Sequence, residues 1–127
     1  MGRGLMKAVF DSNILIDYLN GIPESKDELS LYSDKHISII SWIEVMAGVS
    51  DSNKEEKTVR KFLDSFTLRI VTLAIAEKSV TIRKQNRIRL PDSIIWATAQ
   101  TENLLLVTRN TRDFPEDNPG IRVPYVI

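Results

Sequence analysis

Short apolar runs alternate along this chain with stretches whose apolar residues recur at helical spacing. Lys7-Ala8-Val9-Phe10 is brief, apolar and partly β-branched, and it reads as a central strand. After it, Ile14, Leu15, Tyr18 and Leu19 share one helical face. Ser12 or Asn13 is placed to cap that helix, and Asn20-Gly21-Ile22-Pro23 to stop it. Glu24 to Tyr32 predicts a second, shorter helix, His36 to Ser41 a strand, and Trp42 to Gly48 a helix ending at glycine. Asp51-Ser52-Asn53 is a turn and cap. Beyond it Val59, Phe62, Leu63 and Phe66 fall at i, i+3, i+4 and i+7, the clearest amphipathic pattern in the chain. Leu68 to Leu73 reads as a strand and Ile75 to Asn86 as a helix of poor apolar phase. Pro91 suits the first turn of a helix running to Glu102, because its missing N–H costs nothing there. Leu104 to Val107 is a strand too apolar for an edge, and Arg122 to Val126 is a candidate last strand.

Strands alternating with helices predict an α/β fold: a mainly parallel central sheet flanked by helices on both faces. With 127 residues and no repeat or linker, the chain is read as one domain with a core of its own. Met1 to Leu5 read as an extension ahead of a second candidate start at Met6, so residues 1–6 are set apart and 7–127 form the domain.

Composition narrows the chemistry. The absence of cysteine removes disulfides, thiolate metal sites and cysteine nucleophiles, and a single histidine, His36, excludes multi-histidine zinc centres. A bound metal would therefore take oxygen ligands, which favours Mg²⁺ or Mn²⁺. His36 is read as structural, and Trp42 and Trp96 as core residues. No apolar stretch approaches the ~18 residues of a membrane span, and no signal-peptide h-region is present, so a cytoplasmic address without membrane attachment is expected. Formal net charge is zero, so any affinity for a polyanion rests on how charge is distributed.

Three acids recur in similar settings. Asp11 directly follows the first strand, where open α/β sheets place their ligand sites. Glu44 follows the β-like run Ile37 to Ser41, in what reads as the first turn of a helix, and Asp92 follows Pro91 at the head of an apolar helix. Each has a bland reading as a helix cap or a first-turn acid. Together they suit a divalent cation, which relieves their mutual repulsion, lowers the pKa of a bound water and neutralises a phosphodiester in flight. The loop Thr108-Arg109-Asn110-Thr111-Arg112-Asp113-Phe114 offers Asn110 or Asp113 to complete the pocket. Between the helices, Arg83, Lys84, Arg87 and Arg89 form a basic strip with no acid among them, readable either as a solvated helix end or as a phosphate contact.

These blocks resemble the PIN domain, and in particular its VapC-type toxins. The resemblance is carried by Val9-Phe10-Asp11-Ser12-Asn13-Ile14-Leu15-Ile16, Ser41-Trp42-Ile43-Glu44-Val45-Met46-Ala47-Gly48, Leu90-Pro91-Asp92-Ser93-Ile94-Ile95-Trp96-Ala97-Thr98-Ala99 and Val107-Thr108-Arg109-Asn110-Thr111-Arg112-Asp113-Phe114. It implies a Mg²⁺- or Mn²⁺-dependent endoribonuclease, homodimeric, held inactive by a cognate antitoxin. Asp11, Glu44 and Asp92 match that family's acids, and Thr108 the hydroxyl that orients one corner of its site. Asn110 departs from the family's frequent fourth aspartate, which leaves a non-catalytic PIN-like module that binds RNA or protein as the alternative. A haloacid-dehalogenase-type phosphatase would need an acid where Asn13 stands, and a response-regulator receiver would need paired acids near the first strand.

Overall fold

The computed structural model describes residues 6–50 and 52–127; Met1 to Leu5 of the expected extension, and Asp51 of the expected turn, lie outside them. Five strands, β1 (Lys7–Phe10), β2 (Asp34–Ser38), β3 (Thr67–Arg69), β4 (Leu105–Val107) and β5 (Ile121–Arg122), pair in the order β3-β2-β1-β4-β5. Every pairing is parallel. Six helices connect them: α1 (Ser12–Leu19), α2 (Pro23–Leu29), α3 (Ile39–Ala47), α4 (Asn53–Leu63), α5 (Leu73–Gln85) and α6 (Leu90–Thr101).

The period-two alternation of β1 splits the core in two. Ala8 and Phe10 face a cluster with Ile14, Leu15, Leu29, Val45, Val59 and Leu63, which draws on α1 to α4. Val9 faces the opposite cluster, with Ile82, Ile95, Trp96, Leu106 and Phe114, which draws on α5 and α6. Both faces are thus covered, as an all-parallel sheet requires. Between α5 and α6, Ser79 Oγ and Ser93 Oγ lie 2.6 Å apart, so the buried hydroxyls satisfy one another. Trp96 is core and meets Phe114 edge-on at 6.0 Å. Trp42 is half-buried, with the Arg60 guanidinium 5.4 Å from its ring centroid. His36 is buried within β2, its Nε2 2.9 Å from Asp34 Oδ1.

Several boundaries move for identifiable reasons. Ser38 ends β2 early because its hydroxyl accepts from the Ile40 backbone N–H and caps α3. The β-branched pair Ile39-Ile40 therefore opens a helix, and Glu44 sits in its second turn rather than its first. The N-cap of α1 is Asp11 itself, not Ser12 or Asn13. Gly21 ends the segment after α1 with φ +79°, a conformation that costs glycine nothing. Thr72 caps α5, its hydroxyl accepting from the Ile75 N–H at 3.2 Å, so β3 stops at Arg69 and Ile70 and Val71 remain outside the sheet. The last strand is only Ile121–Arg122, and Pro124, with no N–H to give a ladder, lies just beyond. Met6 packs against the first core cluster, and its carbonyl accepts from the backbone of Ser33 and Asp34.

The chain runs outward from β1 to β2 and β3, then returns to build β4 and β5 on the other side. Strand order therefore reverses between β1 and β4, and ligands of open α/β sheets bind beyond the strand ends at such a point. Asp11 and Thr108 are the residues that emerge there.

Candidate active site

Asp11 leaves the carboxyl end of β1 with its backbone N–H bonded to Val107 O at 2.9 Å, so the last rung of the sheet fixes its position. Its side chain is buried and fully engaged. Ser12 N–H donates to Oδ1 at 2.8 Å, while Thr108 Oγ1 at 2.7 Å and Asn13 Nδ2 at 3.1 Å donate to Oδ2. Thr108, itself fully buried, accepts in turn from the Asn110 backbone N–H at 3.0 Å. Burial pushes the Asp11 carboxyl above its ordinary range and the nearby Glu44 charge adds to this, against the hydrogen bonds from Thr108 and Ser12.

Asp92 enters from the first turn of α6, beside Arg89, the N-cap residue of that helix. Burial raises its carboxyl to about 6, helped by a shared hydrogen bond with Asp113 and by the Asp11 charge, and opposed by Arg89. Asp113 is held below the usual carboxylate range, first by the hydrogen bond from Asn110. Asn110 and Asp113 work as one unit. The amide Nδ2 donates to Asp113 Oδ2 at 2.9 Å, and the Asp113 backbone N–H donates to Asn110 Oδ1 at 3.2 Å. Both residues thus stand at the acid pocket, Asp113 beside Asp92 and Asn110 as its support.

Glu44 is exposed on α3, and its charge reaches both Asp11 and Arg89. It is also one of the residues lining a largely apolar groove of about 520 Å³ between α1, α3 and α4, with Ile16, Leu19, Val45, Val49 and Val59. The basic strip divides. Arg89 reaches Asp92 and Asp113, whereas Arg83 Nε donates to Ile88 O, and Lys84 and Arg87 are exposed without an ion pair among the described residues.

The donor chemistry here suits a hard divalent cation: oxygen ligands only, desolvated, and repelling one another. Among the described residues no three carboxylate or imidazole groups are closed into a ready-made ligand set. The hydroxyl and amide donors hold Asp11, and Arg89 holds Asp92 and Asp113.

Two contributors escaped the reading of the sequence. Asn13 looked like a cap, yet its amide bridges Asp11 Oδ2 and Thr108 Oγ1 while its Oδ1 accepts from the Arg109 N–H. Asp17, one helical turn further on, accepts two bonds from the Arg109 guanidinium and one from Tyr125. The i, i+4 spacing of Asn13 and Asp17 on α1 was the available signal, but apart from Asp11 their partners lie more than ninety positions away.

Residues 8 to 116 match the model of the PIN domain family. The chain belongs to that family. Among PIN proteins, Ribonuclease VapC10 of Mycobacterium tuberculosis is 34% identical over 113 residues, covering 83% of this chain and 84% of that protein. A toxin–antitoxin complex from Klebsiella pneumoniae contains a chain 43% identical to this one, with a TM-score of 0.87 over 94% of this chain and 99% of that chain. A chain of the DNA-bound VapBC complex from Salmonella typhimurium is 25% identical with a TM-score of 0.74, covering 92% of this chain and 96% of that one. The PIN fold and its five-stranded parallel sheet are thus shared along nearly the whole length.

Proposed function

We propose that this PIN domain is the endoribonuclease toxin of a toxin–antitoxin pair, hydrolysing RNA phosphodiester bonds with Mg²⁺ or Mn²⁺. The observation that carries the reading is the convergence of Asp11, Asp92 and Asp113 on the sheet's reversal point, with Glu44 within electrostatic reach. The likeness to a ribonuclease and to chains of toxin–antitoxin complexes supports the substrate and the partner. Asp11, Glu44 and Asp92 would hold the metal, which when bound supplies an acidified water and charge to offset the phosphorane-like oxygens.

The chain's own residues do the rest. Thr108, Ser12 and Asn13 fix the orientation of the Asp11 carboxylate, and a cation facing it would offset the burial that pushes its pKa up. Asn110 steers Asp113 toward Asp92, so the neutral amide performs by positioning what a fourth acid would perform by charge. Arg89 contacts the RNA backbone at the pocket, and Arg83, Lys84 and Arg87, close to it in sequence, contact neighbouring phosphates. The groove that Glu44 helps to line takes an apolar segment of the antitoxin, whose basic side chains can then reach the acids. A homodimer completes the reading.

The test is cleavage of RNA by the purified chain with Mn²⁺, with chelator, and as Asp11→Asn. Cleavage that needs the metal and falls by several orders of magnitude in Asp11→Asn is expected. RNA binding with no cleavage under any metal would leave the module a binding protein instead. Co-purification of the product of the neighbouring reading frame, lost in Ile16→Asp at the groove, tests the antitoxin.

A further inference from the structure

Arg89 is a mostly exposed side chain, 73% accessible, that nevertheless turns inward. Its Nε and Nη2 each lie 3.2 Å from Asp92 Oδ2, and Nη2 lies 3.5 Å from Asp113 Oδ2. A long arginine at a helix start gains freedom and hydration by pointing outward, and an exposed pair with one carboxylate rarely offsets that. Here it meets two carboxylates that are themselves largely withdrawn from water, at 7% and 17% side-chain exposure. The guanidinium is the cation that balances them. Oδ2 of Asp92 receives both nitrogens, so a cation drawn to that carboxylate meets a guanidinium already neutralising it.

We propose that Arg89 is an internal counter-ion of Asp92 and Asp113 that competes with the divalent metal for Asp92, and that on metal entry it turns to grip a phosphate of the RNA. This rests on the metal-dependent reading of the site. Beside the guanidinium is a cleft of about 260 Å³ lined by Asn13, Arg89, Asn110, Arg112 and Asp113, polar and open to solvent. A released planar fork in that cleft matches two phosphate oxygens, as a lysine would not. Because one side chain cannot serve both partners, RNA that captures Arg89 removes the competitor of the metal. The two ligands then strengthen each other's binding by the same factor.

Calorimetric titration of Mn²⁺ into metal-free protein without RNA tests the first half. Arg89→Ala should bind Mn²⁺ about threefold to tenfold more tightly than the natural chain, the range expected for losing an exposed but doubly bonded competitor. Arg112→Ala removes an equal charge from the same cleft without touching Asp92, and should change the affinity less than about twofold. At saturating Mn²⁺, Arg89→Ala should raise KM for RNA and leave kcat nearly unchanged. Unchanged or weaker Mn²⁺ binding in Arg89→Ala, or equal tightening in Arg112→Ala, overturns the competition. An unchanged KM overturns the transfer to phosphate. A natural chain that takes up no Mn²⁺ removes the metal-dependent reading beneath both, whereas Mn²⁺ binding that ignores Arg89 removes only this inference.

Discussion

Arg109 grips Asp17 with both arms of its guanidinium, Nε at 2.5 Å from Oδ2 and Nη2 at 3.0 Å from Oδ1. Tyr125 donates to the same Oδ2 at 2.7 Å, so the pair joins α1, the loop after β4 and the C-terminal segment. Asp17 is buried, and its charge is tolerated because three donors satisfy it. The Arg109 backbone N–H then donates to Asn13, one turn before Asp17 on α1. Thr108, adjacent in the chain, donates to Asp11. The ion pair therefore sets the position of the loop that orients the proposed catalytic carboxylate.

Asp17→Asn should accordingly cost about 1–3 kcal/mol of stability, the range for weakening a largely buried charged hydrogen-bond network. It should also lower kcat by about tenfold to a hundredfold with little change in KM, because the misplacement falls on the reacting corner. Arg109→Lys should lower kcat as well, since a point charge cannot reproduce the two-armed contact. Chemical denaturation together with steady-state RNA cleavage separates these effects; a variant that loses stability but keeps kcat makes the network purely structural.

Much of this architecture can be read from the chain because local and global signals agree. Val9-Phe10-Asp11 announces a buried strand ending in an acid, and the apolar run Leu104 to Val107 announces its neighbour, which the structure begins at Leu105. The signal fails where tertiary pairing overrides local preference. Ile39 and Ile40 favour a strand, yet the Ser38 cap turns them into α3 and shifts Glu44 by a turn. Leu68 to Leu73 reads as one strand, but only Thr67 to Arg69 find partners on β2 before Thr72 caps α5. Of the candidate acids, Asp11 and Asp92 were visible because each stands at a helix start, whereas Glu44 lies a turn deeper in α3 than its setting in the sequence implied. Asn13 and Asp17 were not, since their roles depend on contacts from the other end of the chain.

A second prediction concerns the cost of assembling acids. A carboxyl raised from 3.8 to about 6 in the fold disfavours its own ionisation, so Asp92 destabilises the metal-free protein once the solution is neutral. That penalty is absent below the unfolded value, grows as pH rises through the interval, and is fully present above about 6. In chelator, Asp92→Asn should therefore be more stable than the natural chain by about 1–3 kcal/mol at pH 7.5, and the advantage should vanish near pH 4. Thermal melts at the two pH values check it, and a destabilised Asn variant at neutral pH would show that the pair with Arg89 outweighs burial.

Salt dependence tests the basic rim. Lys84 and Arg87 are exposed and unengaged among the described residues, so replacing them should leave the fold intact. If each meets one phosphate, Lys84→Ala with Arg87→Ala should lower the slope of log K against log salt by about 1.4 for single-stranded RNA, near 0.7 per contact. Filter binding or anisotropy over a salt series provides the slopes. An unchanged slope would return both residues to a solvated helix end, leaving Arg89 as the cation that matters.

The proposed homodimer can be tested on one surface. Beyond the open edge strand β3, Ile70 and Leu73 are 65% and 75% exposed, and Leu68 and Val71 lie beside them in sequence, also exposed. An apolar run at a sheet edge is a liability in a monomer and an asset in a pair, because a second copy hides it from water and covers the unpaired strand. The natural chain should then run in light scattering at twice the 14.5 kDa of one chain. Ile70→Lys with Leu73→Glu should run at the single mass while keeping its circular dichroism, since exposed substitutions of this kind cost the monomer less than about 0.5 kcal/mol. A variant that stays dimeric moves the interface to another face. A natural chain that is monomeric across the concentration range disposes of the homodimer altogether.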